Sequence, residues 1–560
     1  MRINFENSAT WYICGIHHIF SVIVLLLITS SVSGNSFLPS SRLSASGQYQ
    51  VSLTSMRKEA SIGDFHEWLL VIKEKNTGAA VQAERIEFSA AMPAHAHGLP
   101  SKPAFSHYDP SLGHIIKGVK FNMAGLWKLK VNFLVTQSGM TRADSAEVMV
   151  AIGSRVNSRN DETNSISWSR AERATLNSLA LPVKNNAIDP TSSVASNKLA
   201  SLWGRSLFFD AELSRTRSVS CSTCHQPDRY FTDGLAVAMG QQQLTRNTPT
   251  LVGSRYQTWF YWDGRRDSLW SQALVPMEAA AEMNNSRTRI VQLVKQKYKR
   301  EYEALYGDFP ALPDSQTDAT PLGNDAQKRN WEQLDRVLRN NVNRVFSNTG
   351  KALAAYESLL LPAPGKFDLF VNLLNDDKQE LAQDVFTLSE QKGLKLFISN
   401  RTQCLNCHNT PFLTNGGFHN IGTLKNRQGE IDYGRVFGMN TVLIEEFNCR
   451  SAYNDQAEPD CPHLDYLNPD GHDGKSYGAF KVPTLRGLDK SGPYMHDGRF
   501  ATLEAVVDFY TSDEFPVTGP QSELPSIADF TATEKQQLTD FLKTLGSKLQ
   551  TNPIWLRNPQ

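Results

Sequence analysis

The chain has 560 residues, enough for roughly two to four domains, and its 40% hydrophobic content can build several cores. Fifty-seven basic residues balance 57 acidic ones, so the net charge is zero. That excludes recognition of nucleic acid or of an anionic membrane surface through a global field, and any partner must be recognised locally.

Arg2 precedes an almost unbroken apolar run from Ile19 to Ile28, followed by Ser30, Ser31, Val32, Ser33 and Gly34. This is the pattern of a secretory signal with a small-residue cleavage site, so residues 1–34 are expected to be a signal peptide and the protein periplasmic. Apolar character reaches back to Trp11, and an uncleaved leader would instead anchor the chain in the membrane.

From about Gln48 to Ile152 apolar and polar residues alternate: Tyr49 to Leu53, Trp68 to Ile72, Ala83 to Phe88, Trp127 to Phe133 and Ala146 to Val150. Period-two hydrophobicity, with turns such as Asn76-Thr77-Gly78 between the runs, predicts an all-β sandwich over residues 35–155. Two strings within it, Met92-Pro93-Ala94-His95-Ala96-His97-Gly98 and Phe121-Asn122-Met123-Ala124-Gly125-Leu126-Trp127, resemble the small exported β-sandwich domains of the FixH and YtkA type. His95, His97 and a Met offer imidazole and thioether donors, which suit copper. The alternative is an exposed turn whose histidines bind no metal.

Residues 156–195, rich in Ser, Asn, Asp and Arg, read as a linker. It carries one short helix over Trp168–Leu181, with Ser167 as the expected cap. Beyond Lys198 helical periodicity takes over, so the rest of the chain is expected to be mainly α with long loops. Leu199, Leu202, Trp203, Leu207, Phe208 and Phe209 lie at spacings that bury one helix face.

Cys221-Ser222-Thr223-Cys224-His225 follows, and it has a twin at Cys404-Leu405-Asn406-Cys407-His408. Two thiols three positions apart can each form a thioether to one haem vinyl group while the adjacent imidazole reaches the iron, so C-x-x-C-H reads as covalent c-type haem attachment. Two copies imply two haems. A zinc site would want its four ligands grouped in one place, and a redox C-x-x-C would not need the His. Of seven cysteines, Cys14 lies in the leader and four belong to the haem motifs, which leaves Cys449 and Cys461. In an oxidising compartment these are expected to form a disulfide, the alternative being two free thiols. The surrounding stretch, Asn440 to Ser476, suggests no role.

The two halves of this region share a scheme. After the first motif come Phe231-Thr232-Asp233-Gly234, Arg246-Asn247-Thr248-Pro249-Thr250-Leu251 and Phe260-Tyr261-Trp262-Asp263-Gly264-Arg265; after the second come Phe480-Lys481-Val482-Pro483-Thr484-Leu485-Arg486 and Pro493-Tyr494-Met495-His496-Asp497-Gly498. From about Trp168 onward the chain resembles the bacterial di-haem cytochrome c peroxidase and MauG family. The resemblance implies two cytochrome-c-like α domains, at residues 196–365 and 366–560, with the first haem reacting with peroxide and the second handling electrons.

Carried over residue by residue, the resemblance gives His225 and His408 as axial iron ligands. In relatives that need reductive activation a His about sixteen residues past the first motif covers the iron; here that place is Gly240-Gln241-Gln242-Gln243, which implies a first haem open to peroxide. The distal residues of the family fall on Gln272, Pro276 and Glu282. A carboxylate there can move a proton between the peroxide oxygens, with burial raising its pKa; Glu278 is the competing carboxylate. Trp262 matches the aromatic that carries an electron between the haems. Counting from His496, the sixth ligand of the second haem falls on Tyr510, as in the MauG branch, with Met495 as its rival. Thr502 can cap a helix on which Leu503, Val506, Val507 and Tyr510 share one stripe. A phenolate favours higher iron oxidation states, whereas a thioether raises the potential. Asn247 and the carbonyls of Ser491 and Pro493 match the oxygen ligands of a calcium ion.

The implied activity is that of an exported di-haem oxidoreductase that reduces hydrogen peroxide, with electrons from a small cytochrome or cupredoxin, or from side chains of a protein substrate. A reading from another class is a non-catalytic di-haem electron carrier with a copper- or partner-binding β-domain.

Overall fold

Alternating burial builds the first part of the chain from eight strands: β1 (Ser40–Leu43), β2 (Tyr49–Ser55), β3 (Phe65–Glu74), β4 (Arg85–Ala91), β5 (Ala104–Asp109), β6 (Gly113–Lys120), β7 (Gly125–Gln137) and β8 (Met140–Ile152). The computed structural model describes residues 40–56, 65–91, 99, 101–121, 125–137, 139–152, 166–181, 188–313, 317–376, 378–467, 476–511 and 530–559. The chain divides into two units, Met1–Asp161 and Glu162–Gln560.

In the first unit the strands form two antiparallel sheets, ordered β1-β2-β3-β6-β5 and β4-β7-β8. Val51, Leu53, Trp68, Leu70 and Ile72 from one sheet share a core with Leu129, Val131, Phe133, Val148 and Val150 from the other. Inward residues alternate with outward ones along β2 and β3, so each sheet buries one face, as a sandwich requires. Residues 1–34, expected to be a signal peptide, and the copper candidates His95 and His97 lie outside the described residues.

The second unit is helical. We label α1 (Arg170–Leu179), α2 (Lys198–Phe209), α3 (Leu269–Glu278), α4 (Arg336–Glu357), α5 (Lys366–Asn375), α6 (Leu388–Phe397), α7 (Leu503–Thr511) and α8 (Ala532–Lys543). Ser169, not Ser167, caps α1: its hydroxyl accepts the Glu172 N–H at 3.2 Å, and the Glu172 carboxylate accepts the Ser169 N–H at 2.8 Å. Ser-x-x-Glu satisfies two helix-start groups reciprocally, which fixes the start there. Although it lies in the stretch read as linker, α1 packs on α5: Trp168 meets the edge of Phe370 at 5.6 Å, and Arg173 donates to Leu374 O at 2.7 Å. Asp368 on α5 pairs with Arg486 at 2.7 Å, both side chains being buried.

Each half of this unit repeats one construction. α2 packs on α4, and a Cβ on Gly204 would come within 1.8 Å of Ala352 O; α6 packs on α8, and a Cβ on Gly393 would come within 1.9 Å of Gln537 O. Only glycine lets the backbones approach so closely. Each glycine helix leads into a C-x-x-C-H motif. On α2, Ala200, Trp203, Leu207 and Phe208 are buried, whereas Leu199 and Leu202 are exposed, so the buried face is narrower than the spacing of apolar residues implied. Cys449 and Cys461 are bonded at 2.02 Å. Among the described residues no helix is long and apolar enough to cross a membrane.

Candidate active site

Cys221–Cys224 form a single helical turn, closed by the His225 N–H onto Cys221 O at 2.9 Å. Cys404–Asn406 form a tighter turn, and the His408 N–H reaches Cys404 O at the same distance. Both imidazoles are then held by a backbone carbonyl: His225 Nδ1 lies 3.0 Å from Phe231 O and His408 Nδ1 lies 2.6 Å from Leu413 O. A carbonyl only accepts, so Nδ1 must carry the proton, and Nε2 keeps its lone pair for a metal. Phe231 and Leu413 have φ of 59° and 52°, left-handed values that cost a non-glycine residue about 1–3 kcal/mol. The same strained feature orients both histidines. Burial keeps the imidazoles neutral, pushing His225 down and His408 down to about 4.

One cavity of about 540 Å³ joins the two motifs. Cys224, His225, Cys404, Cys407 and His408 line it; Cys221 packs on the core of the first half. None of the four motif cysteines is in a disulfide. Two thiols beside an imidazole with a free Nε2, twice over, with both imidazoles and three of the four thiols lining one cavity, fit two covalently attached haems. The buried Nε2 of His496, which also lines the cavity and has no partner among the described residues, fits a polar group of such a cofactor.

Gln272, Pro276 and Glu282 line the same cavity as His225. Pro276 lies inside α3, where it cannot donate to Gln272 O, and the Tyr261 hydroxyl donates to that carbonyl instead at 3.0 Å. Gln272 Oε1 is buried without a partner among the described residues. The Glu282 carboxyl likewise has no hydrogen-bond partner there. Burial raises its pKa, opposed by Arg265, whose guanidinium lies 3.6 Å from the Tyr261 ring centroid. The Gly240–Gln243 segment is packed onto this turn: Gln241 N–H donates to Glu282 O at 2.9 Å and Gln242 N–H to Ala281 O at 3.0 Å. Glu278 is a different kind of carboxylate. It is buried and held by Arg287 at 3.1 Å and by the Thr320 hydroxyl, away from the cavity.

The di-haem cytochrome c peroxidase family model matches residues 198–378. The methylamine utilization protein MauG of Methylorubrum extorquens is 30% identical over 347 residues, covering 62% of this chain and 77% of that protein. MauG of Paracoccus denitrificans is 31% identical over 350 residues, covering 56% and 75% respectively. Cytochrome-c peroxidase IdrP2 of Denitromonas iodatirespirans is 28% identical over 349 residues, covering 62% and 81%. The chain belongs to the di-haem cytochrome c peroxidase and MauG family. It is a peroxidase-type oxidoreductase, and its family implies two c-type haems.

Among the positions matched to the family, Trp262 lines the cavity and is fastened from both halves: its Nε1 donates to Asn247 O at 2.9 Å, and its carbonyl accepts the Lys481 N–H at 2.7 Å. Tyr510 and Met495 also line the cavity. Tyr510 sits on α7, where Thr502 Oγ1 accepts the Ala505 N–H at 3.2 Å. Burial raises its pKa, and the nearby thiols of Cys404 and Cys407 raise it further. Asn247, Ser491 and Pro493 line the cavity as well, and Asn247 Nδ2 donates to Leu235 O at 2.8 Å, which fixes the donor end of that amide.

Sequence reasoning missed the ionic frame behind Trp262. Asp263 is wholly buried and bonds Arg246 at 2.5 Å and Arg265 at 3.1 Å, while Arg246 also bonds Asp432 at 2.7 Å. Arg246, Asp263 and Arg265 all stood in the motif strings, but Asp432 comes from the other half and had no local signal.

Proposed function

We propose that the protein is an exported di-haem enzyme that reduces hydrogen peroxide in the cavity beside His225. Hydrogen peroxide takes up two electrons and two protons to give two waters. The haems supply iron-centred redox chemistry when bound, and the chain's part is to hold peroxide, place protons and pass electrons. Gln272 Oε1 accepts a hydrogen bond from the bound peroxide. Glu282 takes a proton from one peroxide oxygen and returns it to the other, so that oxygen leaves as water. Trp262 carries an electron between the two haem sites, and Tyr510 together with His408 would hold the iron of the second haem. Asn247 with the Ser491 and Pro493 carbonyls holds calcium, and His95 with His97 is a separate copper candidate.

The observation that supports this reading best is a buried amide oxygen without a partner among the described residues, Gln272 Oε1, and the Glu282 carboxyl, both lining the cavity that His225 enters. An electron carrier has no use for them. Electrons come from a small cytochrome or cupredoxin, or from side chains of a protein substrate. Tyr510 in the ligand position and a Gly240–Gln243 segment without His favour the second source. Adding peroxide to the ferric protein tests the proposal. A prompt change in the haem spectrum without prior reduction supports the MauG-like form, a change only after partial reduction supports the plain peroxidase, and an inert spectrum rejects both.

A further inference from the structure

Among the basic side chains of the cavity, Lys481 is set apart by its partners. It ends the short strand β10 (Ala479–Lys481), which pairs with β9 (Phe418–Asn420), and its backbone N–H is the one that fastens Trp262 O. This puts the residue where the two halves meet. Its Nζ donates to Gln257 Oε1, and among the described residues it meets no carboxylate. Arg246 and Arg265, by contrast, are matched by Asp263 and Asp432.

An ammonium turned from water with only a neutral amide beside it is poorly compensated. Burial pushes the Lys481 amine down to about 8. A cation in that position needs an anion that the described chain does not provide, and a haem carries two carboxylate side chains of its own. We propose that Lys481 binds a haem propionate at the junction of the two halves and that its charge helps to set the reduction potential of that haem. This rests on the di-haem reading. The ferric centre carries one more positive charge than the ferrous, so a nearby ammonium disfavours the ferric state and raises the potential. Its paired arginine neighbours, already neutralised by aspartates, contribute less.

The test uses the full holoprotein with Lys481→Gln and Lys481→Arg, haem counted by pyridine haemochrome and both midpoint potentials read by spectroelectrochemistry. Lys481→Gln is expected to lower at least one midpoint potential, or to lose one haem, while Lys481→Arg restores the wild-type value and two haems per chain. Unchanged potentials in a Lys481→Gln protein with both haems overturn the proposal, as does equal loss of haem in both variants. If the wild type holds fewer than two haems, the di-haem reading itself fails, and the count separates that outcome from the others.

Discussion

Glu282→Gln is the sharpest perturbation of the proposed chemistry. The substitution keeps shape and volume but removes the ability to accept a proton. Its structural cost is expected to be small, because the carboxyl has no hydrogen-bond partner among the described residues and the turn is held by backbone bonds, Glu282 N–H to Ala279 O at 3.0 Å and Gln241 N–H to Glu282 O at 2.9 Å. General acid–base catalysis contributes about 10²–10⁴-fold, or roughly 3–5 kcal/mol of barrier. Stopped-flow mixing of the ferric protein with peroxide should therefore show that loss, with melting temperature and haem content unchanged. Burial raises the Glu282 pKa. The ionised, proton-accepting form is thus lost as pH falls through a value above the usual carboxylate range, and the wild-type rate should fall with it. The Gln variant should lack that limb. A Gln variant within about tenfold of wild type, with the same pH profile, would refute the assignment. Glu278→Gln should do the reverse, lowering stability through Arg287 while leaving the reaction near the wild-type rate.

Glu357 on α4 is 3% exposed, its Oε2 has no partner among the described residues, and burial raises its pKa to about 8. The folded state then holds a proton that the unfolded chain releases in the ordinary glutamate range. Stability should be fullest below that range and fall as pH rises towards about 8, by several kcal/mol at most; in denaturant melts Glu357→Gln should flatten the decline. Gly393→Ala forces a Cβ onto Gln537 O and should cost at least about 1–3 kcal/mol in urea unfolding; no change would mean that α6 and α8 are not so tightly crossed. Tyr510→Phe should alter the electron paramagnetic resonance signal of the second haem, with Met495→Leu leaving it intact. The opposite result would assign Met495 as the ligand.

What was legible in the sequence depended on how local the physics is. C-x-x-C-H carries its chemistry within five residues, and the strings around Trp262 and His496 named residues that now line one cavity. The strands β2, β3, β4, β7 and β8 were readable because each buries alternate residues. β5 and β6 were not: register shifts between Phe105 and His107, and between His66 and Trp68, interrupt the ladders, and Ile115 and Ile116 are both buried, which breaks the alternation. Glu278 and Glu282 look alike in sequence, and only the fold separates an ion-paired core carboxylate from one facing the cavity. The isolation of Lys481 depends on which carboxylates fold beside it, so no local pattern announces it.

The central claim is a pair of haems held in one cavity, the first with a face open to small molecules and the second ligated on both sides. Low-temperature electron paramagnetic resonance of the resting ferric holoprotein tests it most directly. One high-spin and one low-spin centre, in equal amounts, is the predicted spectrum. Two low-spin centres that fail to respond to added cyanide, or a single haem signal per chain, would contradict it.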